Sequence, residues 1–202
     1  MIKPLFAVAK NLERTLSHAE TAGATDLHVP SPADFSVGAP IFVSEANGAE
    51  MEFLGRIKAI GDDTISVAFG LAADKSATAK VWTPSSAFPW EAVTFQPMER
   101  SFHEGIRVEQ SVGGALWSVR TAEPLRTDRL RFREISRSHF AAFRSWLSAQ
   151  VRGGLDDFTW VDEDRNVARV RLVRCDFTQV EERPRVVELI VDLAVLEEGG
   201  YA

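Results

Sequence analysis

The sharpest change of hydrophobic period along the chain falls between Leu130 and Leu172. Leu130 and Phe132 take one face of an extended run, and Arg129, Arg131 and Arg133 take the other, which is the period-two signature of a half-buried strand. The period then lengthens. Phe140, Phe143, Trp146 and Leu147 recur at helical spacing, Ser136 or Ser138 stands where a cap belongs, and Gly153-Gly154 can end the helix in left-handed geometry. Phe158-Thr159-Trp160 and an acidic turn, Asp162-Glu163-Asp164-Arg165-Asn166, follow, and period two returns over Val167 to Cys175. A strand pair alone is not stable in water, whereas one helix laid over a sheet buries such a face. This block is therefore expected to form the core of the C-terminal half.

The remaining apolar runs are short. Asp26–Val29, Pro40–Ser44, Glu50–Ala59, Thr64–Phe69 and Ala79–Trp82 read as strands punctuated by Pro30-Ser31-Pro32, Ala46-Asn47-Gly48 and Gly61-Asp62-Asp63, the pattern of a small β-barrel over residues 24–83. In the third run Met51, Phe53, Gly55 and Ile57 alternate with Glu52, Leu54, Arg56 and Lys58. Ile60 to Ile65 predicts a hairpin, and Asn47-Gly48 predicts a type I′ turn. Residues 1–23 form an N-terminal arm of undecided structure: Phe6, Ala9, Leu12 and Leu16 fit a helical stripe, while Arg14 to Val29 also reads as extended chain entering a strand. Residues 84–97, with Pro84, Pro89, Pro97 and exposed-looking Phe88, Trp90 and Phe95, read as a linker lying against a surface. Residues 98–202 then supply a β-sandwich with one helix. In it Arg107 to Ala122 is a hairpin turning at Gly113-Gly114, and Val186 to Leu196 is a strand either central in the sheet or covered on both sides.

Composition narrows the class. The 202 residues are 45% apolar, enough for a packed core, and no apolar run approaches the ~18–20 residues of a membrane span. The apolar stretch in Met1 to Phe6 is too short for a signal peptide. A lone Cys175 excludes an internal disulfide and a cysteine-cluster zinc site, which points to assembly in a reducing cytoplasm. The net charge of −6 argues against binding nucleic acid by phosphate neutralisation. All five lysines precede residue 81, and from Arg100 to Arg185 the basic residues are arginine alone. Two explanations stand side by side: arginine is favoured at protein interfaces, and a GC-rich genome favours arginine codons anywhere.

Candidate chemistry is sparse. His18, His28, His103 and His139 are scattered and lie in no helical metal-binding motif, and His139 reads as a capping or surface residue. Cys175 lacks a nucleophile signature and reads as a small buried residue; Gly-x-Ser-x-Gly and a Gly-rich phosphate loop are absent. The cluster Asp156, Asp157, Asp162, Glu163 and Asp164 lacks calcium-loop spacing. It reads as a solvated hairpin loop or, more sharply, Asp162, Glu163 and Asp164 face a channel that carries DNA, where negative charge prevents sticking. No cofactor, metal or catalytic residue is expected, and a hydrolase is disfavoured.

The run Arg107-Val108-Glu109, Gly113 to Val119, Leu130-Arg131-Phe132, helix, Arg152-Gly153-Gly154, Phe158 to Asp162 and Arg169-Val170-Arg171 resembles distal tail proteins and related tail-tube modules of long-tailed bacteriophages. The likeness lies in the order of elements over roughly the second half, and residues 24–83 resemble the small OB-like barrels that virion proteins carry, here preceding the sandwich. The resemblance implies a mainly β structural virion protein, assembled in the host cytoplasm. Its subunits would close as a six-fold ring joining the tail tube to the hub or baseplate, with a channel through which DNA passes without specific binding. It supplies no catalytic residue. Arg129, Arg131, Arg133, Arg169, Arg171, Phe88, Trp90 and Phe95 are the expected contact surfaces, with a receptor- or carbohydrate-binding accessory module of the tail tip as the rival function.

Overall fold

Leu5, Phe6, Ala7 and Val8 are all buried, so the chain enters the fold as a strand covered on both faces. The computed structural model of the protein describes residues 5–90, 95–103, 106–110, 116–120, 125–162, 164–179 and 186–198. Its strands are β1 (Leu5–Thr15), β2 (Asp26–His28), β3 (Pro40–Ser44), β4 (Glu52–Ile60), β5 (Thr64–Val67), β6 (Lys80–Pro89), β7 (Phe95–His103), β8 (Ile106–Gln110), β9 (Leu116–Arg120), β10 (Leu125–Ser136), β11 (Phe158–Val161), β12 (Val167–Gln179) and β13 (Val186–Glu198). Among the described residues one α-helix, α1 (Arg137–Gln150), follows β10. The fold is mainly β. Eleven strands form one sheet in the order β2-β5-β4-β3-β6-β1-β11-β12-β13-β10-β7, and β8 pairs with β9 separately. Every pairing is antiparallel.

The two halves meet on β1, which settles Leu5–Thr15 of the undecided N-terminal arm as strand. Leu5 to Ala7 pair with Val161 to Thr159 on one side and with Pro89 to Ala87 on the other. Phe6 and Val8 enter the cluster beneath α1, Leu5 and Ala7 enter a second cluster with Phe42, Phe53 and Trp82, and Leu16 closes a third with Leu27, Val43, Leu54 and Ile65. A strand apolar on both faces carries neither a clean period of two nor one of 3.6, which is why its pattern also fits a helical stripe.

Residues 84–89 are not a linker. They are the second half of β6, and Phe88 and Trp90 are buried at 7% and 1% exposure instead of lying on the surface. The prolines are accommodated because β3 pairs with β6 only from Lys80 to Trp82, leaving β1 as the neighbour farther along. Proline is tolerated where a strand has a free flank or a bulge, and the β1–β6 register shifts between Lys10 and Leu12, beside Pro84.

The five short runs of residues 24–83 are all strands, with a glycine altering the expected face of one. Gly55 has φ +82, a backbone region that L side chains rarely adopt, and an added Cβ would lie 2.8 Å from Phe69 and Ala68. The bulge changes the alternation, so Leu54 and Ile57 share one cluster while Met51 and Phe53 join another. The Ile60–Ile65 hairpin pairs as its sequence predicts. The turn after β3 is present but is not type I′: Gly48 has φ 84 and donates to the Glu45 carbonyl, whereas Asn47 is not among the positive-φ residues.

In the C-terminal half, Leu130, Phe132 and Ile135 of β10 face the cluster that Phe140, Phe143, Trp146 and Leu147 of α1 cover. Ser136 caps α1 by accepting from the His139 backbone N–H at 3.1 Å. The helix ends at Gln150, and Arg152, Gly153 and Gly154 then take positive φ. β13 lies between β12 and β10, central as its two-faced pattern implies. The β8–β9 hairpin pairs Gln110 with Leu116, and the turn at Gly113-Gly114 lies outside the described residues.

Phe6 is the hub of the aromatic core: its ring centroid lies 5.0 Å from those of Phe158 and Trp160, 5.6 Å from Trp90, 5.9 Å from Phe143 and 6.1 Å from Trp146. Phe6→Ala should lower the unfolding free energy by ~3–5 kcal/mol in a denaturant titration, the range for a buried Phe emptied to a cavity. A loss below ~1 kcal/mol would mean that this cluster does not hold the two halves together.

Candidate interaction surfaces and the pocket between the cores

The guanidinium face of β10 exists as its alternation predicts, but it is laced to its own sheet. Arg129 donates from Nε and Nη2 to the Asp192 carboxylate at 2.8 and 3.1 Å, and Arg133 lies 3.8 Å from Glu188. The register carries the pattern across three strands: Asp192 stands opposite Arg129 on β10 and opposite Arg174 on β12. Arg131, partly exposed, stands opposite Ile190, which in turn faces Asp176. Arg169 and Arg171 share Asp157, at 2.8 and 2.7 Å. Arg152 binds Asp156 and holds its carboxyl below the ordinary range, chiefly through that hydrogen bond. Cross-strand charge pairs of this kind stabilise a sheet modestly while leaving its outer surface hydrophilic.

The other expected contact residues divide. Phe88 and Trp90 belong to the core, where Trp90 stacks on Phe132 with centroids 3.9 Å apart. Phe95 stands on β7, opposite Phe132 of β10 in the backbone register. β7 is the last strand of the large sheet.

The acidic turn is a correction to the expectation of a solvated or channel-facing loop at Asp162. That residue is only 5% exposed, and its carboxylate accepts from the backbone N–H groups of Asp164 (2.9 Å) and Asn166 (2.8 Å) and from Asn166 Nδ2 (2.8 Å). An aspartate that accepts local N–H groups builds a turn, so its charge is spent on the backbone. Asp164 is exposed, and Glu163 lies outside the described residues. Arg165, with φ 71, turns toward the N-terminal half, its guanidinium 5.3 Å from the Phe69 ring centroid and Nη1 donating to the Gly70 carbonyl at 3.3 Å. Asp162, Asp164 and Arg165 thereby wall a cavity of about 490 Å³, shared with Met51, Phe53 of β4, Arg126 and Asp128 of β10, and Trp160 of β11.

Arg126 and Asp128 carry no signal in the sequence reading. They lie two apart on β10, on the same face as Leu130, where a strand expected to point inward carries a charge. Asp128 is fully buried, and Arg126 donates to it from Nε at 2.8 Å and from Nη2 at 2.6 Å. Lys75 is likewise buried, and its Nζ lies 2.9 Å from Glu52 and donates to the Glu50 carbonyl at 3.1 Å.

Two reactive candidates find their settings. Cys175 is half-buried against the cluster beneath α1, and burial, aided by Asp176, pushes its thiol up to about 11, which keeps it from acting as a thiolate at neutral pH. His139 donates its backbone N–H to the helix cap while its ring packs 4.9 Å from that of Phe88. His18 and His28, apart in sequence, come together around Glu20, and their ligand atoms lie within 4.8 Å of one another. No helix among the described residues is long and apolar enough to cross a membrane.

No protein-family model matches the chain, and no curated protein matches it.

Asp128 sits buried because Arg126 neutralises it, so removing one partner should cost far more than removing both. Arg126→Met is expected to destabilise by ~3–5 kcal/mol, and Arg126→Met/Asp128→Leu by clearly less, measured by denaturant unfolding. Equal losses in the two variants would contradict a charge pair at this position.

Proposed function

We propose that the chain is a structural virion protein whose subunits close as a ring at the distal end of a phage tail, joining tail tube to hub or baseplate around an open channel for DNA. The finer fold reading belongs to the same proposal. Strands β1 to β6 would close as a small OB-like barrel, supported by the Ser17 backbone N–H donating to the carbonyl of His28 on the far strand β2 at 2.8 Å. The strands from β7 onward would form a sandwich flanked by α1.

The observation that carries the functional reading is the form of the large sheet. Among the described residues it ends at β2 and β7, the β8–β9 hairpin follows β7 as a separate unit, and the β10–β13–β12 surface sets guanidinium groups opposite carboxylates, Arg129 and Arg174 on either side of Asp192. An edge strand offers unpaired backbone groups to another chain, and a mixed-charge face adds orientation and register. A ring needs two different patches that meet head to tail and close, each burying ~800 Å² or more. The β7 edge with its hairpin is one such patch, and the face carrying Arg131 and Arg133 is the other. Arg129, Arg169 and Arg171 are held by Asp192 and Asp157 and shape that face from within.

A second reading, a receptor- or carbohydrate-binding module of the tail tip, has the cavity in its favour. Carboxylates, a guanidinium and an indole around about 490 Å³ are groups that can hold sugar hydroxyls.

The test is the solution mass. The chain, alone and mixed with the products of its neighbouring genes, should give a closed oligomer by light scattering on a sizing column. Arg131→Glu/Arg133→Glu should shift it toward monomer with the circular dichroism spectrum unchanged. A wild-type monomer under all these conditions, or an oligomer indifferent to charge reversal, would overturn the ring reading. A monomer that is retained on a glycan array would favour the second one.

A further inference from the structure

We propose that His18, Glu20 and His28 form a binding site for one divalent first-row transition ion, of which Zn²⁺ is the natural probe. The proposal is independent of the ring reading. Two imidazoles and one carboxylate are a donor set that suits zinc and its neighbours, with a fourth position left to water or to a further ligand.

The chain brings the three together by backbone means. After β1 the segment turns across the end of the sheet, where Ser17 donates its N–H to the carbonyl of His28, and Glu20 pairs with Lys75 through N–H to carbonyl bonds of 2.9 and 2.8 Å in the two directions. Glu20 is thereby fixed from its own backbone and is 7% exposed. Its Oε1 accepts from the His28 backbone N–H at 2.9 Å and lies 2.9 Å from His28 Nδ1 and 3.5 Å from His18 Nε2. The two imidazole rings are 4.3 Å apart between centroids.

Ligand atoms around a tetrahedral ion with bonds of ~2.0–2.1 Å stand ~3.4 Å apart. The His18–Glu20 separation of 3.5 Å already meets that spacing, and the His28–Glu20 hydrogen bond needs to open by a few tenths of an ångström. The carboxylate is the buried, anchored member, while the histidine side chains are 54% and 35% exposed. The rings are therefore free to adjust, and the ion can enter from solvent. In the bound state His28 would coordinate through Nδ1, His18 through Nε2 and Glu20 through a carboxylate oxygen, with any proton on a coordinating nitrogen passing to solvent.

The consequence is mechanical. His18 and Glu20 follow β1, whereas His28 ends β2, the first strand of the sheet order and one of its two edges. An ion held by all three would staple that edge to the segment leaving the central strand, across a loop that the backbone otherwise closes through a few hydrogen bonds.

The experiment uses the full chain without a polyhistidine tag. Titration calorimetry with Zn²⁺ alone should give one ion per chain, and Co²⁺ in its place should give the visible absorption of a tetrahedral site. His18→Ala, at an exposed position, should weaken binding at least ~10-fold, as loss of even an outer-sphere partner does, and His28→Ala should do the same. Zn²⁺ should raise the thermal midpoint of the wild-type chain and, at the same concentration, raise that of His18→Ala less. Absence of heat and of a cobalt band, or binding that both histidine variants leave intact, would overturn the proposal.

Discussion

Burial of Phe6 among five aromatic rings is the interaction on which the rest of the fold depends. It lies on the strand shared by both halves, so the same side chain that completes the cluster under α1 fixes where β1 meets β6 and β11. Its flanking residues Leu5 and Ala7 point the opposite way, into the cluster with Trp82 and Phe42. Three apolar clusters thus share one strand, and β6 repeats the device, with Val81, Trp82 and Phe88 falling in three different clusters. A strand buried on both faces transmits position between layers because close-packed interiors do not deform gradually.

The charged groups follow from that arrangement. Where the cores meet, the sheet leaves a cavity instead of a continuous apolar seam, and the inward positions there carry Arg126, Asp128 and Asp162. Each buried carboxylate is satisfied locally, Asp128 by a bidentate guanidinium and Asp162 by the amides of its own turn. Arg165 then ties that turn to Phe69 and Gly70 of the N-terminal half. Arginine serves this role well because a planar guanidinium can pack on a ring and donate at once.

The outer surface of β10, β13 and β12 uses the same residue type for another end. Its arginines meet carboxylates across the strands, with Asp192 between Arg129 and Arg174, which keeps the sheet face hydrophilic without a strong field of one sign. The described residues thus present sheet edges, a mixed-charge face and a polar cavity. The histidine pair at Glu20 lies at the opposite end of the sheet order from β7.

Local pattern by itself determined the elements. The strand–helix–strand order from Leu130 to Cys175, the Ser136 cap, the short strands of residues 24–83 and the two-faced β13 were all legible, because each depends on side-chain period and on turn residues within a few positions. What only the tertiary structure decided depends on neighbours distant in sequence. The prolines of residues 84–89 read as a break, yet the strand continues because one flank there is free of β3. Phe88 and Trp90 read as surface aromatics, yet α1 and β10 cover them. Asp162 read as one of a cluster of exposed acids, and Arg126 with Asp128 went unread, because burial of a charge depends on a partner and on the layer opposite, not on local spacing. His18 and His28 stand ten residues apart in the sequence and meet only because the segment after β1 folds back onto the end of β2.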